Sequence, residues 1–378
     1  MPQQGTTTVP SIPTTTTITT PSAKRLGFFS RLLDDAPAGE RYRLVAEQIA
    51  HAEALGFDSA WVAQHHFHEH EGGLPSPLVF LAHVAARTHR IRLGTGIITL
   101  PLENAVRVAE DAIVLDLLSG GRLDVGVGTG GTPESFAAFG LDSEDRSAIF
   151  ARQLAVLRGA WAGQPLAGGD TLYPAAAQLL GRIWQATFSV AGGTRAGQAG
   201  DGLMLSRTQP RTDDAPDATL AEIQNPIIDA YLAALPAGST PRIVGSRSLF
   251  VADSRQEALR LADTGLRRFA ERFAAQAAKS GATPRVGPDA PLAQLIATYD
   301  AHVGSPEDVI ASLRADATLE RVTDLVFQVH SIDPPHAAIL RSIELTATAV
   351  APALGWVPRH PPAATPRAFI PQPITEPA

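Results

Sequence analysis

The stretch of residues 56–131 alternates three short apolar runs with helix-length amphipathic segments. The runs are residues 57–63, 91–98 and 122–128, and small or polar residues follow each of them. Strands that are joined by helices run parallel, because each crossover returns the chain to the same edge of the sheet. Ligands and reacting groups gather at the carboxyl ends of such strands. We therefore expect a parallel sheet with its functional site at that edge.

The same strand–helix unit recurs along most of the chain. Further strands are predicted at residues 25–30, within 182–193, and at 201–206, 242–252 and 323–330. Helical spacing of apolar residues predicts helices at 40–56, 76–88, 103–121, 143–161, 219–235 (interrupted or restarted near Pro226), 254–278, 305–315 and 335–354. An open doubly wound sheet has similar local patterns. The count of eight strands favours an α/β fold, a (β/α)8 TIM barrel with loop insertions.

Composition and charge limit the partners and the chemistry expected of this barrel. One domain is expected over residues 25–356, between a disordered Thr/Pro-rich N-terminal tail (1–24) and a disordered Pro-rich C-terminal tail (357–378). The net charge of −7 comes without a cluster of Lys or Arg, so nucleic acid and anionic membranes are not expected partners. The absence of cysteine excludes disulfides and thiolate chemistry. With no signal peptide or membrane-length apolar run, we expect a cytoplasmic protein.

The segment HHFHEHE holds four of the eleven histidines. Imidazole and carboxylate suit zinc or iron, but the spacing matches no metal motif, and we assign no metal ligands. His68 and His70 are interpreted as solvated loop residues. His65 and His66 follow the second predicted strand, where a neutral imidazole serves as acid or base near neutral pH. A buried structural histidine is the alternative for both.

Two glycine-rich segments follow strands. GVGTGG, residues 126–131, satisfies GxGxxG formally, but a poor helix start follows it, so a dinucleotide fingerprint is not favoured. Small residues lining a barrel wall against a flat ligand explain it better. In residues 190–206, a strand runs into Gly192, Gly193 and Thr194 and then a short helix, which suits a phosphate at a helix N-terminus. Arg195 either adds charge there or is a surface residue.

Together these segments carry a resemblance. GFDSAWVAQHHF, RIRLGTGIITLP, AVRVAEDAIVLDLLSGGRLDVGVGTG, SVAGGT with AGDGLMLS, VGSPEDVIASL and the terminal LVFQVH with LRSIELTATAVAPAL all match. The chain resembles the bacterial luciferase-like flavin monooxygenase superfamily over residues 25–354, nearly everything but the tails. The block W-x-x-x-H-H-F followed by LDxLSxGR is the most specific part. The family fold is a TIM barrel with insertions.

The resemblance implies reduced FMN as cosubstrate, with dioxygen adding at flavin C4a and the resulting hydroperoxide oxidising a small organic substrate. His65 matches the family's catalytic histidine. Thr95, Gly96 and Ile97 match the strand end beneath the isoalloxazine, where the family often has a non-prolyl cis peptide. Gly192, Gly193 and Thr194 match the phosphate-binding loop. A separate flavin reductase and a homodimer through an early helix, such as that at 76–88, are also implied.

Three positions depart from luciferase itself. Gln64 stands where luciferase has glutamate, Gly128 replaces its reactive cysteine, and Thr129 replaces its phosphate-binding arginine. Gly128 and Thr129 remain candidate cofactor contacts, and Arg195 or Arg207 would have to supply charge for the phosphate. Light emission is not expected.

Three other functions stay open: an F420-dependent oxidoreductase on the same barrel, a non-catalytic flavin-binding protein and, more remotely, a metalloenzyme. No motif identifies the organic substrate. Trp61, Phe67, Phe136 and His330 are either pocket walls or core residues.

Overall fold

The computed structural model describes residues 24–212, 214–280, 283–328 and 334–359. Its strands are β1 Arg25–Ser30, β2 Ser59–Val62, β3 Arg92–Thr95, β4 Ile98–Thr99, β5 Leu123–Gly128, β6 Ile183–Ala186, β7 Gly202–Leu205, β8 Ile243–Val251, β9 Ala301–Gly304 and β10 Asp324–Gln328. Parallel pairing runs β1–β2–β3–β5–β6–β7–β8–β10 and returns to β1. Eight strands therefore close a barrel, and the predicted TIM-barrel fold is confirmed.

Helices cover the outside of the barrel. They are α1 Ala38–Ala54, α2 Pro77–Ala85, α3 Ala105–Leu118, α4 Pro133–Ala138, α5 Arg146–Trp161, α6 Val190–Gln198, α7 Leu220–Ala234, α8 Arg255–Ser280, α9 Leu292–Thr298, α10 Pro306–Arg314, α11 His336–Leu345 and α12 Ala351–Ala353, with a π-helical turn at Thr346–Val350. Side-chain caps fix several starts. Asn104 caps α3, and Thr219 and Ser305 form reciprocal capping boxes on α7 and α10.

The structure differs from the sequence prediction in several places. The third predicted strand breaks after Thr95 and resumes as β4. Within the segment 280–302, α9 leads into β9, which the sequence did not reveal and which pairs outside the barrel with β8. Helix α7 continues through Pro226 without restarting. The helix predicted at 335–354 is divided by the π-helical turn.

Two apolar cores hold the barrel together. The larger lies between the strands and the surrounding helices. The smaller fills the barrel interior and consists of Trp61, Trp184, Met204, Val244 and Val326. The two indole rings meet edge to face, with 5.7 Å between their centroids. Because this layer plugs the barrel, a ligand has access only above it, at the carboxyl ends of the strands.

Some predicted features lie in residues that the structure does not describe. The tail segments 1–23 and 360–378 and the pocket candidate His330 lie outside the part that the structure describes. Among the described residues, no helix has both the length and the apolar character needed to cross a membrane.

Candidate functional site

The barrel mouth is the opening at the carboxyl ends of the eight barrel strands. Directly above the tryptophan layer lie three half-buried apolar side chains, Phe29, Ile97 and Ala186, which pack against it. We call these three residues the shelf. Phe29 lies near the end of β1, Ile97 in the break between β3 and β4, and Ala186 at the end of β6, so the three surround the barrel interior.

The break between β3 and β4 forms one side of the shelf. The Gly96–Ile97 peptide bond is cis, as the resemblance implies. Thr95 is fully buried, and its hydroxyl replaces the backbone hydrogen bonds that are lost where the strand is interrupted. Its Oγ1 donates to the carbonyl of Gly126 at 2.8 Å and accepts from the amide of Gly126 at 2.9 Å. Thr95 therefore fixes the place where the strand leaves the sheet and turns Ile97 into the mouth.

The glycines of β5 are required by this arrangement. A Cβ on Gly126 would lie 2.1 Å from the Thr95 carbonyl oxygen, and one on Gly128 would lie 2.9 Å from Cδ1 of Ile97. Both glycines are buried, whereas Ile97 above them is half-exposed. The GxGxxG pattern thus provides room for the broken strand. Thr129, half-exposed, continues from β5 toward the mouth.

Gln64 anchors the same segment from the side of β2. Its Oε1 accepts from the amide of Thr99 at 2.7 Å, and its Nε2 donates to Glu103 at 2.6 Å and to the carbonyl of Pro75 at 2.9 Å. Burial raises the pKa of Glu103, although the hydrogen bond from Gln64 opposes that rise. The amide at position 64 is therefore matched to a carboxylate partner.

His65 lies at the mouth immediately after Gln64. Its Nδ1 is 3.4 Å from Oε2 of Glu71. Burial lowers the pKa of His65, Glu71 opposes this effect, and the charge of Arg31 adds to it. The contact with His65 in turn lowers the pKa of Glu71. At neutral pH the arrangement is thus a neutral imidazole with Nδ1–H directed at a carboxylate, which leaves Nε2 as a proton acceptor.

The other aromatic and histidine side chains of this loop differ in exposure. His66 is buried and stacks edge to face on Phe139, with 5.1 Å between ring centroids, whereas Phe67 is 66% exposed. His68 and His70 lie on the surface side of the loop and stack on each other. No group of three or more metal-ligating side chains occurs among the described residues. Trp61 and Phe136 are both 1% exposed and belong to the core.

Helix α6 begins four residues earlier than predicted, at Val190, with Ser189 as its N-cap. Gly192, Gly193 and Thr194 are therefore in the first turns of a helix and not in a loop. Oγ of Ser189 accepts from the amide of Gly192 at 3.1 Å. A Cβ on Gly193 would lie 2.6 Å from the carbonyl oxygen of Ile227, so this glycine lets α6 pack closely on α7.

The start of α6 is exposed beside the shelf. Thr187 is half-exposed, and Ser189 and Val190 are exposed. The first amides of a helix have no intrahelical acceptor and attract anions. Arg195 points elsewhere: its guanidinium lies 4.9 Å from the ring centroid of Phe150 and donates to Gln185 at 2.9 Å, on the helix side of β6.

The opposite side of the mouth is polar and cationic. Arg207 follows β7 and is 6% exposed. Its Nε donates to Oε1 of Gln328 at 2.6 Å, and its Nη1 donates to Oγ of Ser248 at 3.3 Å. Burial first, and then the charge of Arg31, lower its pKa to about 9. We call Arg31, Arg207, Ser248 and Gln328 the cationic side.

Several of these residues were not singled out in the sequence. Glu71 ends the segment HHFHEHE, whose carboxylates were weighed only as metal ligands and not as partners of His65, and Arg31 and Gln328 merely follow or end strands. Ser189 had a usable signal, because a serine immediately before a run of small residues is a common N-cap.

Comparison with known proteins supports a single family. The model of the luciferase-like monooxygenase family matches residues 26–321. A similar curated relative is the 4-hydroxyprotoasukamycin monooxygenase of Streptomyces nodosus subsp. asukaensis, 31% identical over 316 residues, or 79% of this chain and 83% of the relative. The crystal structure of monooxygenase RslO1 from Streptomyces bottropensis is 27% identical, with a TM-score of 0.70 over 87% of this chain and 99% of that one.

More distant structures share the fold. The oxygenating component of the 3,6-diketocamphane monooxygenase of Pseudomonas putida, in complex with FMN, has a TM-score of 0.67 at 20% identity over 88% of this chain and 99% of its own. The F420-dependent tetrahydromethanopterin reductase of Methanopyrus kandleri has a TM-score of 0.60 at 17% identity over the same shares. Since the family model matches most of the barrel, this chain belongs to the luciferase-like monooxygenase family.

Proposed function

We propose that this protein is a flavin-dependent monooxygenase that uses reduced FMN and dioxygen to oxidise a small organic substrate. Its family and the monooxygenase relatives support this proposal. The observation that carries it is that a neutral, carboxylate-oriented histidine lies beside an apolar shelf suited to a flat ring. The backbone amide of Gln64, next to His65, donates to the carbonyl of Ile97 in the shelf at 3.4 Å. The substrate approaches from above, since the tryptophan layer closes the barrel below.

The residues of the shelf fit a flavin ring. Phe29, Ile97 and Ala186 offer half-buried apolar surface without charged groups, which is what the face of an isoalloxazine requires. Gly96 is the half-exposed backbone position next to them. In this proposal Thr95 and Gly128 position Ile97 from below, and Thr129 borders the ring at the end of β5.

The start of α6 suits the phosphate of FMN. Ser189 and the first amides of α6 supply hydrogen-bond donors and the positive end of a helix, so the phosphate does not need an arginine at position 129. Gly192 keeps this turn compact, since a Cβ there would lie 1.9 Å from Oγ1 of Thr187. Gly193 and Thr194 support the phosphate site by seating the helix.

His65 handles protons in this proposal. Reduced FMN, when bound, supplies the reducing equivalents that activate dioxygen. Glu71 orients the imidazole through Nδ1–H, which leaves Nε2 as a neutral acceptor to take or hold a proton. Because the pKa of His65 is lowered, the neutral form predominates at pH 7.

A homodimer and a separate flavin reductase complete the proposal. Apolar side chains that are 49–70% exposed lie on the neighbouring helices α2 and α3: Val79, Val114, Leu117 and Leu118. An exposed apolar patch of this kind is typical of a subunit interface. The reductase is proposed from the family resemblance.

The test is anaerobic titration of reduced FMN, followed by mixing with oxygenated buffer while the flavin spectrum and the hydrogen peroxide released are recorded. We expect binding, and a spectral time course that His65→Asn alters without weakening the binding of reduced FMN. General acid–base catalysis contributes about 10²–10⁴-fold, so kcat/KM for substrate oxidation should fall by about that factor. His70→Asn, an exposed neighbour in the same loop, is the control and should behave as wild type.

The alternatives predict different results. An F420-dependent oxidoreductase would bind reduced FMN poorly and would transfer hydride without consuming oxygen. A non-catalytic flavin-binding protein would bind FMN and show the same reoxidation in wild type and His65→Asn. Either result would reject the monooxygenase proposal.

A further inference from the structure

Arg207 is a buried cation without a carboxylate partner among the described residues. Within the described ranges its guanidinium donates to two neutral groups, Gln328 and Ser248. The charge that acts on it is that of another cation, Arg31. Removing a charge from water without an opposite charge costs free energy. Two other arginines with buried side chains pair with carboxylates: Arg247 with Asp316, and Arg211 with Asp300. Buried Arg122 donates to the backbone carbonyls of Ala85, Thr88, Ile91 and Ser119.

Two buried side-chain amides near Arg207 have unpaired polar atoms. Gln209 lies two residues farther along the chain, and Gln328 contacts Arg207. Gln209 is 5% exposed, and neither its Oε1 nor its Nε2 has a hydrogen-bond partner within the described ranges. Nε2 of Gln328 is likewise buried and unpaired there, while its Oε1 accepts from Arg207. Buried polar atoms are normally paired, so this cluster has the donors of a polar ligand site.

The cluster belongs to the same mouth as His65. Arg31 lies close enough to both that its charge lowers the pKa of His65 and of Arg207. Its Nη2 donates to the carbonyl of Glu71 at 3.1 Å, which ties it to the loop that carries the histidine. A ligand whose charged end reaches Arg207 would therefore extend toward the proposed reaction centre.

We propose that Arg207 binds a carboxylate of the organic substrate, so that the enzyme acts on organic acids. The inference rests on the proposed monooxygenase function and names its substrate class. Arginine matches a carboxylate with two parallel hydrogen bonds, and the unpaired Nε2 of Gln328, whose Oε1 accepts from Arg207, adds an amide donor. The cationic side lies on the arc of β7, β8, β10 and β1, whereas Ile97, Ala186 and the start of α6 lie at the ends of β3 to β6 on the other arc. Phe29, the third residue of the shelf, lies on β1, where the two arcs meet. In the proposed function the start of α6 supplies the hydrogen-bond donors for the phosphate of FMN, so Arg207 is not needed for that group.

Binding is measured without turnover by calorimetry and thermal unfolding, using a panel of monocarboxylic acids, each paired with its primary carboxamide. Wild type should bind a subset of acids at least about tenfold more tightly than the matching amides. Arg207→Gln should weaken acid binding by about 100-fold and abolish the preference over the amide. Arg207→Lys, which keeps the charge but lacks the fork, should fall between the two.

A second readout separates binding from a structural role. Because Arg207 is an uncompensated buried charge, Arg207→Gln should unfold at the same temperature as wild type or at a higher one. Arg195→Gln is the matched control, a half-buried arginine that also lacks a carboxylate partner among the described residues and lies outside the mouth. It should leave the preference for acids unchanged.

Three results would overturn the inference: amides binding as well as acids, no acid binding at all, or a clear loss of thermal stability in Arg207→Gln. A fourth outcome is that Arg207 binds the phosphate of the flavin and not a carboxylate of the substrate. In that case Arg207→Gln would erase the preference for FMN over riboflavin and leave acid binding intact, which also rejects the inference. If acids bind through Arg207 but reduced FMN does not bind, the substrate class stands and the monooxygenase proposal fails.

Discussion

The two sides of the barrel mouth differ in chemistry and in how their residues are distributed along the chain. The shelf side is built from glycines and apolar groups within short motifs, such as Gly96–Ile97 and GVGTGG. The cationic side combines Arg31, Arg207, Ser248 and Gln328, which come from β1, β7, β8 and β10. The first side offers a surface for a flat ring, and the second offers charge. The difference indicates that cofactor and substrate are recognised by separate parts of one opening.

The largest effect is expected from damage to the shelf. In Gly126→Ala the added Cβ would lie 2.1 Å from a backbone oxygen of Thr95, which cannot move without displacing the broken strand. We expect the free energy of unfolding to fall by about 3 kcal/mol and binding of reduced FMN to be lost. Denaturant unfolding and flavin titration measure both quantities.

Gly131→Ala is the control for this substitution, since a Cβ there meets nothing within 4 Å. Its unfolding free energy should stay within about 0.5 kcal/mol of wild type. Equal behaviour of the two variants would mean that the glycines of β5 are not required to seat the shelf.

An intermediate effect is expected at Gln64. Gln64→Glu keeps the acceptor for the amide of Thr99 but sets a carboxylate against Glu103, where Nε2 now donates at 2.6 Å. We expect a loss of about 1–3 kcal/mol in unfolding free energy at pH 8. The pKa of Glu103 is already raised by burial, so the two facing carboxyls will hold a proton at acid pH. The loss should therefore shrink as the pH falls.

The double variant Gln64→Glu with Glu103→Gln restores one amide and one carboxylate and should recover most of the stability. Chemical denaturation across pH compares the three proteins. A double variant no more stable than Gln64→Glu alone would show that the pairing of these two residues does not hold the segment.

The smallest effect is expected on the pH dependence of activity, because the pKa of His65 depends on Glu71 in its own loop and on Arg31 of the cationic side. Neutral His65 is the proposed active form, so activity should decline as the pH falls through its pKa. The Glu71 contact raises that pKa and the charge of Arg31 lowers it, against a larger lowering by burial. Glu71→Gln should therefore move the acid limb of kcat/KM to lower pH, and Arg31→Gln should move it to higher pH. Glu69→Gln, which removes an exposed carboxylate from the same turn, should leave the acid limb where it is in wild type.

Much of the fold was readable because its cause is local. Apolar runs alternating with amphipathic segments predicted the eight strands of the barrel that closes from β1 to β10. The single domain over residues 25–356 stays a prediction. The break after Thr95 was not readable, because it depends on one hydroxyl replacing ladder hydrogen bonds with Gly126. Strand β9 was missed since it pairs only outside the barrel, with the far half of β8.

The candidate site was readable on one side. Histidines and glycines after strands predicted His65, Gly96 and Gly128 as candidates, and their roles stay predictions. Arg207 was named as a possible source of charge, but its partners could not be predicted, because Arg207 and Gln328 are 121 positions apart and are brought together by barrel closure. A single arginine after a strand looks the same in sequence whether it is buried or on the surface.

The most direct test of this division compares the affinities for reduced FMN and reduced riboflavin in wild type, Ser189→Asp and Arg207→Gln. Asp caps a helix as well as Ser does, so Ser189→Asp preserves α6 but sets a negative charge against the phosphate. We predict that the preference for FMN falls at least about tenfold in Ser189→Asp and is unchanged in Arg207→Gln. A preference that persists in Ser189→Asp and disappears in Arg207→Gln would contradict the account.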